Sequence, residues 1–227
     1  MTIAATRRAT SEAETRLIGR ALGALLRGGD VVLLEGALGA GKTTLVRAAA
    51  EGMGLGVEAV ASPTFVVVHE YTRPGGAAGP RDQAPAALFH VDAYRLRGED
   101  ELESLGWDAV VEAIEAGRAA AVIEWPERLG AALDAFDPAR VRLEHAGEES
   151  REIVLSIPSS WRSRPGLEDL LARGPTTCPV TGQPVPADSP TYPFANERAR
   201  MADLHRWFSG AHTLSRDIGH SDLEEGL

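Results

Sequence analysis

Residues 31–47 read VVLLEGALGAGKTTLVR. The run Val31–Glu35 is short, apolar and β-branched at its start, the pattern of a strand buried on both faces of a parallel sheet. TTLVRAAAEGMG (43–54) reads as a helix of about three turns ending near Gly54. Between them, Gly36-x4-Gly41-Lys42-Thr43 matches the phosphate-loop pattern, in the strand-before, helix-after setting that pattern requires. In such a loop the backbone N–H groups turn inward on phosphate oxygens, and the helix adds its positive end. The binding residues expected here are Gly36, Leu38, Gly39, Ala40, Gly41, Lys42, Thr43 and Thr44. Of 23 Lys and Arg residues in the chain, Lys42 alone is lysine. An ammonium is a compact charge on a slim stem, whereas a guanidinium is broad and planar. The one retained lysine therefore marks a place where size matters, with the β- and γ-phosphates of a nucleotide in reach. Thr43 would give its hydroxyl to Mg²⁺.

The flanking sequence extends this into an α/β pattern. Ser11-Glu12-Ala13-Glu14 is a capping box opening a helix over about 12–27. FVVVHEYT (65–72), ALFHVDAY (87–94) and AAAVIEW (119–125) read as strands, GEDELESLGWDAVVEAIEAG (98–117) as one or two helices, and RVRLEHAGEESREIVLSIP (140–158) as a hairpin. RPGGAAGPRDQAPA (73–86) is a surface loop. Alternating strands and helices predict a three-layer αβα P-loop fold with a mainly parallel central sheet. After Pro158 no further strand is expected, which predicts an ATPase-type domain over 1–158 and an irregular, helical extension over 159–227.

Composition narrows the function. The chain has 227 residues, 44% hydrophobic and 25% charged, in the globular range. Its net charge of −10 argues against strong direct binding to nucleic acid or an anionic membrane. One cysteine, Cys178, forbids an internal disulfide and a four-thiolate zinc site, and with no signal-like or membrane-length apolar run the chain reads as cytoplasmic.

A phosphate-loop enzyme needs a carboxylate near the metal, at the carboxyl end of a neighbouring strand. Asp92 and Glu124 both terminate apolar runs; each is either a metal-shell acid or a solvated strand end. Thr64 in SPTF (62–65) sits where nucleotide switches carry a γ-phosphate sensor, though from these residues alone the reading preferred is Pro63 making a plain turn. His69 and His90 read as structural. Three functions share these features: an ATPase, a small-molecule kinase using Arg95 and Arg97, and a nucleotide-dependent binding module with negligible turnover.

GALGAGKTTLVR, SPTF, HVDAYRL, ELESLGWD and VIEWPERLG occur in this order. Together they resemble the TsaE (YjeE) family, which works in making threonylcarbamoyladenosine at position 37 of tRNAs, over about residues 8–157. The resemblance implies an Mg²⁺-dependent ATPase acting with TsaB-like and TsaD-like proteins, its hydrolysis resetting that complex. It implies Lys42 on phosphates, Thr43 and Glu124 at the metal, Asp92 needed for hydrolysis and Thr64 in a switch-like loop. Glu101 and Glu103 would lie near the nucleotide, and Glu12 and Thr15 would flank the adenine. The tail, CPVTGQPVPADSPTYPFANERARMADLHRWFSG (178–210), resembles the small zinc-binding YacG family. Of the four ligand places only Cys178 is kept, with Thr181, Ala195 and Ala199 in the others, so no zinc site of that kind is expected.

Overall fold

The computed structural model describes residues 2–55, 68–72, 84–96, 101–102, 105–172, 174, 176–187 and 189–208. The expectations placed on Thr64, Arg97, Glu103 and most of the 73–86 loop fall outside them. The chain divides into two units, Met1–Arg173 and Gly174–Leu227.

The first unit is built on a seven-stranded sheet of order β1-β7-β6-β2-β5-β4-β3. These strands are β1 (Thr2–Ala9), β2 (Val31–Glu35), β3 (Val68–Thr72), β4 (Ala87–Asp92), β5 (Ala119–Glu124), β6 (Ala139–His145) and β7 (Arg151–Pro158). β6, β2, β5 and β4 run parallel, while β1, β7 and β3 pair antiparallel at the margins. β5 is buried along its whole length, as its unbroken apolar run requires, whereas β6 alternates buried and exposed.

Helices α1 (Glu12–Leu25) and α2 (Lys42–Gly52) cover one face, closing a core around Leu22, Leu34, Leu45, Leu88 and Leu155. Helix α3 (Trp107–Glu115) and the loop after β5 cover the other, around Leu33, Phe89, Ile114, Ile123 and Leu129. α1 starts where the capping box places it: Ser11 accepts from the Glu14 amide, and Glu14 accepts from the Thr10 amide at 2.7 Å. α1 and α2 pack at backbone distance. A Cβ on Gly23 would lie 1.9 Å from the Ala49 carbonyl oxygen, and one on Gly52 would lie 2.1 Å from that of Arg20. The α/β class and the central strands therefore follow the sequence pattern.

Two expectations are corrected. β1 lies in a segment given no structure; Arg7 and Arg8 break its hydrophobic alternation, and its order comes from full pairing with β7 (Thr2↔Pro158 to Ala9↔Arg151). The first unit also continues to Arg173 instead of ending at Pro158. Trp161, and Leu167 and Leu170 of α4 (Leu167–Leu171), are buried in its core. Arg164, lying 4.0 Å over the Trp161 ring, makes a two-pronged pair with Asp30 at 2.5 and 2.9 Å.

The second unit contains a two-residue strand pair, β8 (Thr176–Thr177) with β9 (Pro184–Val185), where no strand was expected, and helix α5 (Glu197–Phe208). Its small core is Cys178, Val185 and Ala199, with Ala195 packed against it. Burial raises the Cys178 thiol, but hydrogen bonds from the Thr181 hydroxyl and from the Ala195, Thr181 and Val180 amides outweigh it and hold the pKa at about 7. Thr181, Ala195 and Ala199, the residues in the other three ligand places, thus gather around the one thiol. Among the described residues no helix is long and apolar enough to cross a membrane.

Candidate functional site

The loop between β2 and α2 leaves the carboxyl end of a central strand. Its glycines are required by conformation: φ is +144° at Gly36, +77° at Gly39 and +102° at Gly41. A Cβ on Gly36 would also lie 2.5 Å from the Leu143 carbonyl oxygen. Gly41 is the left-handed N-cap of α2 and supplies no side-chain cap, so the first amides of the helix are open to an external acceptor. Arg151, from β7, donates to the Ala40 carbonyl at 3.0 Å and braces the loop.

Lys42 is 5% exposed. Its Nζ donates to the Gly36 carbonyl at 2.7 Å and the Ala37 carbonyl at 3.0 Å, and lies 4.0 Å from the centre of the Trp125 ring. Burial lowers the ammonium's pKa, against the opposing pull of Glu124, Asp92 and Glu127. An anion placed against this ammonium would offset the desolvation that burial imposes on it. Trp125 holds φ +59°, the one positive value at a non-glycine among the described residues. Its amide donates to Leu34 O at 3.3 Å, and its ring meets Tyr94 at 5.0 Å.

Thr43 Oγ1 donates to Glu124 Oε1 at 3.0 Å. Asp92 and Glu124 are register partners on β4 and β5, so the two acids end adjacent parallel strands side by side. Asp92 accepts from the Tyr94 amide at 3.1 Å and caps a 3-10 turn over Ala93–Arg95. Burial raises its carboxyl pKa; the Tyr94 amide lowers it, Glu124 raises it, and His90 and Lys42 lower it. Asp92, Tyr94 and Glu124 line a cavity of about 280 Å³ with Lys42, Thr43, Thr44 and Trp125.

A second cavity, of about 530 Å³, adjoins the other side of the loop. Glu12 and Thr15 from the start of α1, Gly39 and Gly41 from the loop, and Glu148 and Arg151 from the β6–β7 hairpin line it. The structure therefore brings Lys42, Thr43, Asp92 and Glu124 to one cavity and Glu12 and Thr15 to its neighbour, with Gly39, Gly41 and Thr44 facing both.

Several site residues were not assigned a role from sequence. Trp125 was quoted only as the neighbour of Glu124. Arg151 reaches the loop through the hairpin register, a signal no local pattern carries. His90, read as structural, is fully buried and bonds Glu124 Oε1 through Nε2 at 3.0 Å.

The donor set, a hydroxyl and two carboxylates, is oxygen-only and suits a hard cation such as Mg²⁺, which keeps several waters and shares phosphate oxygens. Among the described residues no cluster of three or more His, Cys, Asp or Glu could hold a metal by itself.

The chain is similar to known proteins over most of its first unit. The family model for threonylcarbamoyl adenosine biosynthesis protein TsaE matches residues 9–153. The tRNA threonylcarbamoyladenosine biosynthesis protein TsaE of Streptomyces coelicolor is 42% identical over 152 residues, covering 64% of this chain and 93% of that one. That of Bacillus subtilis is 34% identical over 149 residues, covering 66% and 83%. The crystal structure of Bacillus subtilis YdiB superposes with a TM-score of 0.50 at 26% identity, covering 75% of this chain and 95% of that one.

Proposed function

Since the chain belongs to the TsaE family of tRNA threonylcarbamoyladenosine biosynthesis proteins, we propose that it is the ATP-binding and ATP-hydrolysing subunit of that machinery. The observation that carries the proposal is the placement of Lys42 Nζ inside the glycine loop, with Thr43 and Glu124 bonded to each other in the same cavity. The adenosine end of ATP occupies the cavity walled by Glu12 and Thr15, and the phosphates follow the loop amides into the cavity shared by Asp92 and Glu124. Lys42 exchanges its carbonyl partners for phosphate oxygens and meets the charge that develops on the transferred group. Thr43 points its hydrogen at Glu124 and keeps its oxygen lone pairs for Mg²⁺, which would neutralise charge between the outer phosphates. Asp92, held partly protonation-prone by burial, orients and deprotonates the attacking water.

Hydrolysis then resets a complex with TsaD-like and TsaB-like proteins in the cytoplasm, and the transfer to tRNA is done by those partners. The acidic chain itself makes no strong contact with nucleic acid. Calorimetry with ATP and Mg²⁺, and phosphate release with and without the partners, test this. Lys42→Ala is expected to weaken Mg·ATP binding by about 10–100-fold, the loss of charge-assisted bonds, and to abolish phosphate release. A Lys42→Ala protein that binds and hydrolyses ATP like the wild type overturns the proposal.

A further inference from the structure

His90 has no access to solvent, yet the polar bond it makes reaches into the cavity. It sits on β4 on the same face as Leu88, towards α2, between strands whose register sets His90 beside Val122 and Asp92 beside Glu124. Its ring therefore reaches diagonally along β5 to the carboxylate two residues on. With Glu124 Oε1 as the acceptor, Nε2 carries the hydrogen in this bond. Nδ1 is buried without a partner among the described residues. An imidazole in an apolar layer costs free energy that a leucine would not; the polar contact made in return is to Glu124.

Thr43 donates to the same oxygen, Oε1. Two donors from different elements, α2 and β4, thus pin one oxygen of Glu124, while among the described residues no bond is made to Oε2. The pinned carboxylate in turn orients the Thr43 hydroxyl.

We infer that His90 is a positioning residue: by holding Glu124 Oε1 it fixes the oxygen frame into which the nucleotide's divalent cation docks. It acts through Glu124 and touches neither nucleotide nor metal. It rests on the magnesium–nucleotide role proposed above.

The test uses the full chain loaded with ADP, with Mn²⁺ as probe. Electron paramagnetic resonance reads Mn²⁺ affinity, and calorimetry in EDTA reads ADP affinity without metal. His90→Leu is expected to weaken Mn²⁺ binding by about 10–100-fold, the usual effect of losing a ligand's supporting partner, with metal-free ADP affinity unchanged. His90→Gln, whose amide can donate from a similar reach, is expected to recover most of the affinity. If His90→Leu does not fold, His90→Asn, too short to reach Glu124, takes its place against His90→Gln. Unchanged Mn²⁺ affinity in the non-donating variant, equal loss in both variants, or a matching fall in metal-free ADP affinity overturns the inference. Wild-type protein that binds no Mn·ADP overturns the nucleotide role and this inference with it; wild-type binding with unaltered His90→Leu sinks the inference alone.

Discussion

Gly23→Ala puts the α1–α2 contact to a direct test. Alanine is favoured over glycine inside a helix by about 1 kcal/mol, so on local grounds the substitution stabilises. The tertiary structure reverses that sign. The new Cβ would stand 1.9 Å from the Ala49 carbonyl oxygen, and contacts below 3.0 Å do not occur, so one helix must retreat by about 1.1 Å. The obstructing atom belongs to helix backbone and cannot rotate aside. Overpacking of this kind costs typically about 1–3 kcal/mol, and because backbone must move here the upper figure of about 3 kcal/mol applies, leaving a net loss of about 2 kcal/mol after the helical gain. For a chain of this size that lowers Tm by about 4–8 °C. Thermal melts by circular dichroism, backed by urea titration, read the change. Gly19→Ala belongs to the same series: its Cβ would meet Ala48 Cβ at 2.6 Å and Leu45 O at 2.8 Å, so it should cost less. Gly54→Ala is the control, with no atom within 4 Å and only the penalty of φ +77°, about 1 kcal/mol. A Gly23→Ala protein as stable as the wild type would refute the backbone-contact argument.

Two other substitutions probe ionisation. Burial raises the Asp92 pKa above 3.8, so its contribution to stability is full below 3.8 and is lost as pH rises through the raised value. Asp92→Asn, which keeps an acceptor for the Tyr94 amide, should therefore make the nucleotide-free protein more stable at pH 7, with the gain vanishing in acid; urea titrations across pH check this. In the second unit, Thr181→Ala removes the side-chain donor to Cys178 and should raise that thiol above its value of about 7, read from ultraviolet thiolate absorbance against pH.

The parallel centre of the sheet was legible because burial on both faces writes unbroken apolar runs, as in VVLLE and AAAVIE. The phosphate loop was legible because glycines at positive φ and a lone lysine leave a fixed spacing. Asp92 and Glu124 stood out as acids ending apolar strands, though only their register shows them side by side. β1 was illegible because an edge strand needs little apolar surface and gains its order from a partner at the far end of the domain. The boundary falls later than Pro158 because Trp161, Leu167 and Leu170, spaced among one proline, one glycine and arginines that read as linker, each fill the core. His90 was taken for packing because nothing local announces that its diagonal neighbour is Glu124.

The register of β1 against β7 has a bearing on biosynthesis. The glycine loop leaves the ribosome early, but Glu124 and Trp125, the Arg151 brace and the hairpin wall follow only after most of the domain has been translated. β1 must wait longer still, because Thr2 pairs with Pro158. A nascent chain halted before that point carries the loop without the walls of its two cavities. The walls of both cavities are thus completed late, in nearly the same step that closes the sheet at its edge.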